Sequence, residues 1–216
     1  MRLRVRLRRT KTNVRSRFRL DLLLLSGALG LVAANSRGPR LVAIGRLGPD
    51  GSSTVPVDQG SSFGGFSVRA EAFKPGADIP RKFSCQGSDI SPALVWTDPP
   101  AATQSLVLIV DDPDAPAGTW VHWVLYDLPP GMRRLDEALR PTAEVTGGGR
   151  QGANDFGKTG YGGPCPPPGK PHRYFFRLYA LDSRLNLKAG ATKTEVEEAM
   201  KGHVLAKAEV MGRYGR

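Results

Sequence analysis

From residue 66 to the end, the chain breaks into short apolar runs, each closed off by proline or glycine, and this punctuation restricts the fold more than any other feature. "FSVRAEAF" alternates apolar and polar side chains with the period of a half-buried strand, and "ALVW", "SLVLIV", "VHWVLYDL" and "RYFFRLYAL" are strand-length runs. Their spacing predicts a mostly β domain, an antiparallel sandwich or barrel. The one clear helical signal comes late, in "TKTEVEEAMKGHVLAKAEV". Thr194 as cap and Glu197 three residues on make a capping box, Val196, Met200 and Val204 share a face, and Gly202 weakens the helix or marks its end.

The 216-residue chain carries a net charge of +11, which at first suggests a nucleic-acid partner. Its distribution excludes that reading. Residues 1–46 hold twelve Lys and Arg against one acid, Asp21, whereas residues 47–216 hold nineteen of each sign. The globular part is neutral, so no nucleic-acid groove is expected.

The basic stretch "MRLRVRLRRTKTNVRSRFR" runs into "LDLLLLSGALGLVAANS", with Val32 and Ala34 placed for cleavage after Ala34. Residues 1–34 therefore read either as a secretory signal or as an upstream start that adds a low-complexity leader. The localisation follows the leader: exported or periplasmic if it is a signal, cytoplasmic otherwise. The apolar stretch is shorter than the roughly 20 residues of a membrane span. Residues 35–65, with "GPDGSSTVPVDQGSSFGG", read as a flexible linker, and the folded domain is expected over residues 66–216.

Two segments concentrate polar chemistry. "VDDPDAPAGTWVHW" follows the apolar run "LVLIV" directly, and "GANDFGKTGYGGPCPPPGKPHRYFFRLYALD" leads through glycines and prolines into a strong strand. Asp112 and Asp114 stand at a strand exit; His172 and Tyr174 stand at a strand entrance on one face, with Arg173 on the other. If these strands are antiparallel neighbours the groups meet, and His122 can join them. Taken singly, each feature has a plainer explanation: Asp and Pro are turn residues, Trp120 and Trp123 suit a core, and Arg173 suits a structural ion pair.

Together these segments resemble the two signature regions of the phosphatidylethanolamine-binding protein family, in its bacterial Raf-kinase-inhibitor-like (YbhB/YbcL) branch. "FSCQGSDISPALVW" and the terminal "AMKGHVLAKAEVMGRYGR" follow the same pattern, so the resemblance covers about residues 66–216. It implies an antiparallel β-sandwich with Greek-key-like connections, a few peripheral helices and a small anion pocket at one end. By motif position, Asp112, Ala115, Pro116 and His122 come to that pocket from the first signature, and Gly163, Pro164, His172 and Tyr174 from the second. The implied function is non-catalytic binding of a phosphate-like anion or phospholipid headgroup, with a regulatory role open.

Elementary chemistry fits that implication. The two imidazoles, the Tyr174 hydroxyl and the Gly163 backbone N–H are candidate donors to an anion, while Asp112 would orient an imidazole. No cofactor or resident metal is expected. Two alternatives stay open: regulation of a protein partner such as a kinase, and a metal-dependent hydrolase built on Asp112, His122 and His172 as a two-His, one-carboxylate site. A homodimer is also compatible. Cys85 and Cys165 would be bridged in an exported protein and free thiols in the cytoplasm.

Overall fold

The computed structural model describes residues 65–216. The leader at 1–34, and the linker at 35–65 except for its final residue, lie outside the described residues. In chain order the strands are β1 (Val68–Ala70), β2 (Leu94–Trp96), β3 (Ser105–Asp112), β4 (Trp120–Leu128), β5 (Arg134–Leu135), β6 (Arg150–Gln151), β7 (His172–Leu181) and β8 (Val204–Tyr214). One α-helix, α1 (Lys193–Met200), precedes β8, and a 3-10 turn covers Arg81–Phe83. The domain is mostly β, with every strand pair antiparallel.

A small sheet runs β1-β2-β5, and a five-stranded sheet runs β6-β4-β3-β7-β8. The two sheets form a sandwich around one core. Phe66, Val68, Leu94 and Trp96 pack there against Leu106, Leu108, Val110, Trp123, Phe176 and Leu178 of the larger sheet. The outer face of that sheet is also covered, because Val107, Ile109, Val124 and Tyr126 lie under Val196 and Met200 of α1. All eight residues of β3 are thus buried, which is why "SLVLIV" is an unbroken apolar run where a half-exposed strand would alternate.

Asp111 is a buried charge on that outer face. It is 1% exposed and held by the Arg177 guanidinium and, at 2.9 Å, by Lys193 Nζ. A carboxylate so enclosed is tolerable because it is paired and hydrogen-bonded.

The helix begins two residues before its expected start. Thr192, not Thr194, is the N-cap, and Glu195 closes the capping box by accepting from the Thr192 backbone at 2.8 Å. Both Thr-x-x-Glu frames occur in "TKTEVEE"; tertiary packing selects the first. The neighbouring Ala191 is buried, and its N–H donates to the Tyr126 hydroxyl at 3.4 Å, which fixes where the chain enters. Val204 is not on the helical face either: Gly202 turns the chain at φ +79° and Val204 opens β8, 46% exposed.

Candidate functional site

The site forms where β3 leaves the large sheet, because its neighbours enter there. β7 pairs with β3 in a register that ends at Asp111 opposite Phe175, which brings the end of β3 to the start of β7. On the other side, β4 pairs Asp112 with Trp120 and Asp111 with Val121, then Val110 with Trp123. His122 is therefore the extra residue of a β-bulge. A bulge re-aims a side chain, and here Val121 faces the α1 side while Trp123 faces the core. His122 turns toward β7, its ring edge-on to Tyr174 with centroids 5.1 Å apart.

These groups line a cavity of about 250 Å³, with Asp112, His122, His172 and Tyr174 at its polar end. Ala115, Pro116, Ala117, Trp120, Phe156, Cys165, Pro166 and Pro167 complete the wall. The prolines lock the loop backbones on both sides of the mouth.

The hydrogen bonds fix the tautomers. His122 Nδ1 lies 2.6 Å from the Gly162 carbonyl, which can only accept, so Nδ1 carries the proton and Nε2 is the free nitrogen. His172 Nδ1 donates to Asp112 Oδ2 at 2.8 Å, leaving its Nε2 free as well. Asp112 Oδ1 accepts the Asp114 backbone N–H at 2.8 Å, so the carboxylate is held at both oxygens. Burial lowers the His122 pKa from its usual value of 6.5, against the opposing pull of the Gly162 carbonyl and the Asp112 charge. The Tyr174 hydroxyl is enclosed by the protein beside the Asp112 carboxylate, too far from it for a well-formed hydrogen bond. Burial first, and then the nearby Asp112 charge, raise its pKa, so it stays an O–H donor.

Of the residues expected in the pocket, the structure brings together Asp112, Ala115, Pro116, His122, His172 and Tyr174; Gly163 and Pro164 do not line the cavity. The Gly163 N–H is already given to Asp89 Oδ1 at 2.7 Å and is no free donor. Glycine is required there for another reason: a Cβ would fall 2.3 Å from the Phe83 carbonyl oxygen and 2.5 Å from Asp89 Oδ1. The Pro164 carbonyl accepts the Cys85 N–H at 3.1 Å. Both residues hold the second loop onto residues 83–89, and the Tyr161 hydroxyl adds a third tie by donating to the Phe83 carbonyl at 2.8 Å. On the same seam Cys85 and Cys165 are joined as a disulfide, with Cα atoms 5.4 Å apart.

Asp114 is drawn away from the other acids by Arg173, whose Nε and Nη2 donate to it at 2.9 and 2.7 Å. The Arg173 hydrogen bonds, opposed by desolvation, lower its pKa to about 2. Ala117, Trp120, Phe156, Cys165, Pro166 and Pro167 join the wall although no motif position assigns them to it. Phe156 is 39% exposed and stacks edge-on with Trp120 at 5.5 Å and His122 at 5.3 Å. In "NDFGKTG" it carries no periodic signal; its position depends on Asn154, whose Oδ1 accepts the N–H groups of Phe156 and Lys158, both at 3.1 Å.

Comparison with known proteins agrees with this architecture. The sequence model of the family described as phosphatidylethanolamine-binding protein matches residues 69–215. A UPF0098 protein from Methanothermobacter thermautotrophicus is 48% identical over 150 residues, 69% of this chain and 99% of its own. One from Aquifex aeolicus is 50% identical over 151 residues, covering 69% and 88%. Among solved structures, the phosphatidylethanolamine-binding protein homolog CT736 of Chlamydia trachomatis superposes with a TM-score of 0.64 at 44% identity, over 70% of this chain and 97% of that one. E. coli YbcL, described as a member of the mammalian PEBP family, gives a TM-score of 0.65 at 31% identity, over 70% and 99%. With the pocket residues carried on an antiparallel sandwich that these proteins share, the chain belongs to the phosphatidylethanolamine-binding protein family.

Proposed function

We propose that the domain binds a phosphate-type anion, free or as a phospholipid headgroup, in the cavity at the end of β3, and that it holds the ligand without transforming it. Family membership supports a ligand-binding role. The observation that carries the finer reading is the pair of imidazoles, His122 and His172, that line one cavity with Nδ1 engaged and Nε2 free.

Protonation supplies the rest of the affinity. With Nδ1 engaged, each neutral ring offers only a lone pair at Nε2, which suits a protonated phosphate monoester; each imidazolium offers an N–H, which suits a fully ionised phosphate or a diester. In both cases the complex holds a proton that the ionised ligand and neutral protein lack. Affinity therefore declines as pH rises.

A hydrolytic metal centre is less well supported, since no group of three or more His, Cys, Asp and Glu among the described residues is arranged to hold a metal ion. Calorimetric titration of phosphoethanolamine at pH 5.5 and pH 8, with and without EDTA, tests the proposal. The expected result is tighter binding at pH 5.5 and indifference to EDTA. Tighter binding at pH 8 together with loss on chelation would replace the anion pocket with a metal site.

A further inference from the structure

A second cavity, of about 330 Å³, adjoins the first and shares His172 and Pro167 with it; its remaining lining is Asp114, Pro168, Lys170 and Pro171. With two lining residues in common, the cavities are neighbours, near enough for one ligand to reach both.

The charges in this second space are unequal. Asp114 is neutralised by the fork from Arg173, which also donates its backbone N–H to Asp114 Oδ2 at 3.0 Å. Lys170, in contrast, enters no ion pair among the described residues. Its backbone is constrained, because a residue before proline is confined to extended conformations and Pro171 follows. Lys170 thus lines the cavity as an exposed residue, and no carboxylate among the described residues pairs with it.

We infer that this second cavity is a subsite for a further anionic group of the same ligand, with Lys170 as its cation. The ligand class is then a phosphorylated compound or headgroup bearing a carboxylate or second phosphate a few bonds from the first. The inference rests on the phosphate reading of the first cavity.

Phosphoethanolamine and O-phosphoserine differ by one carboxylate, so their affinity ratio on the full chain reads the subsite directly. O-phosphoserine is expected to bind about twofold to fivefold more tightly at low salt, the range of an exposed ion pair. Lys170→Gln should bring the ratio to one and Lys170→Arg should keep it. A ratio of one in the wild type, or an unchanged ratio in Lys170→Gln, overturns the subsite and leaves the first cavity's reading intact. No binding of either compound overturns both. Phosphatidylcholine vesicles carrying phosphatidylserine or phosphatidylethanolamine at equal mole fraction separate the ligand sources. Lys170-dependent capture by the phosphatidylserine vesicles assigns the subsite to a lipid headgroup; a preference in solution without capture assigns it to a free phosphorylated metabolite.

Discussion

His172 donates its Nδ1 proton to Asp112 Oδ2 at 2.8 Å, and the accepting carboxylate is 3% exposed. With Nδ1 held by the carboxylate, the ring is fixed in the cavity wall and Nε2 is left for an anion, to which an imidazolium donates. His172→Ala removes a charge-assisted bond of about 1.5 to 3 kcal/mol, so phosphoethanolamine affinity is expected to fall about tenfold to a hundredfold by calorimetry. Asp112→Asn should also weaken binding, although it takes a negative charge away from an anion site. A tighter Asp112→Asn variant would show that this carboxylate acts only by repelling the ligand.

His122 makes stability depend on pH in a defined direction. Its folded pKa lies below the ordinary 6.5 because the ring is buried, so the unfolded chain takes up a proton that the folded chain resists. The stabilisation is complete above the unfolded value and is lost as pH falls through the folded one, with each unit of separation corresponding to about 1.4 kcal/mol. The apo protein should therefore melt at lower temperature at pH 5 than at pH 7, with a smaller difference in His122→Asn. Phosphate, which favours the protonated ring, should raise the melting temperature more at pH 5. An equal pH dependence in wild type and His122→Asn would rule out His122 as the source.

Much of this arrangement was legible in the sequence. The period-2 pattern of "HRYFFRLYAL" put His172 and Tyr174 on one face and Arg173 on the other, and the structure keeps that division: Tyr174 joins the core while Arg173 pairs with Asp114. What composition and periodicity could not carry was local geometry. The bulge at His122 breaks the alternation of β4 at one residue, and no residue type signals it. The Gly163 N–H reads as a donor to a ligand, yet Gly163 serves a close backbone approach that only three-dimensional packing reveals. The helix starts two residues before the frame that its sequence suggests, because two capping frames overlap and the burial of Ala191 decides between them.

Gly163→Ala tests that close approach. The added Cβ would stand 2.3 Å from the Phe83 carbonyl oxygen, which is backbone and cannot swing aside. The loop must lift from residues 83–89, at a cost of about 1 to 3 kcal/mol typical of overpacking. A lower melting temperature and weaker phosphoethanolamine binding are expected together, because the displaced segment leads directly to Cys165, Pro166 and Pro167 in the cavity wall. An unchanged melting temperature would mean that the seam is looser than its contacts imply.

The disulfide on the same seam should separate stability from binding. Cys85 and Cys165 lie 80 residues apart, and closing a loop of that size contributes about 4.5 kcal/mol in the chain-entropy account, with 2 to 4 typical of measured bridges. Reduction is therefore expected to lower the melting temperature clearly. The pocket should suffer less, because the Tyr161, Gly163 and Cys85 hydrogen bonds that fasten the two loops do not involve sulfur. Polar contacts from Asp112, His122, His172 and Tyr174 are likewise carried by strands that reduction leaves in place. Calorimetry on oxidised protein, protein treated with a dithiol reductant, and a Cys85→Ser, Cys165→Ser double variant should thus give a large drop in melting temperature. The loss of phosphoethanolamine affinity should be smaller than that of His172→Ala. If reduction abolished binding while the protein stayed folded, the bridge rather than the hydrogen-bonded seam would be what shapes the cavity wall.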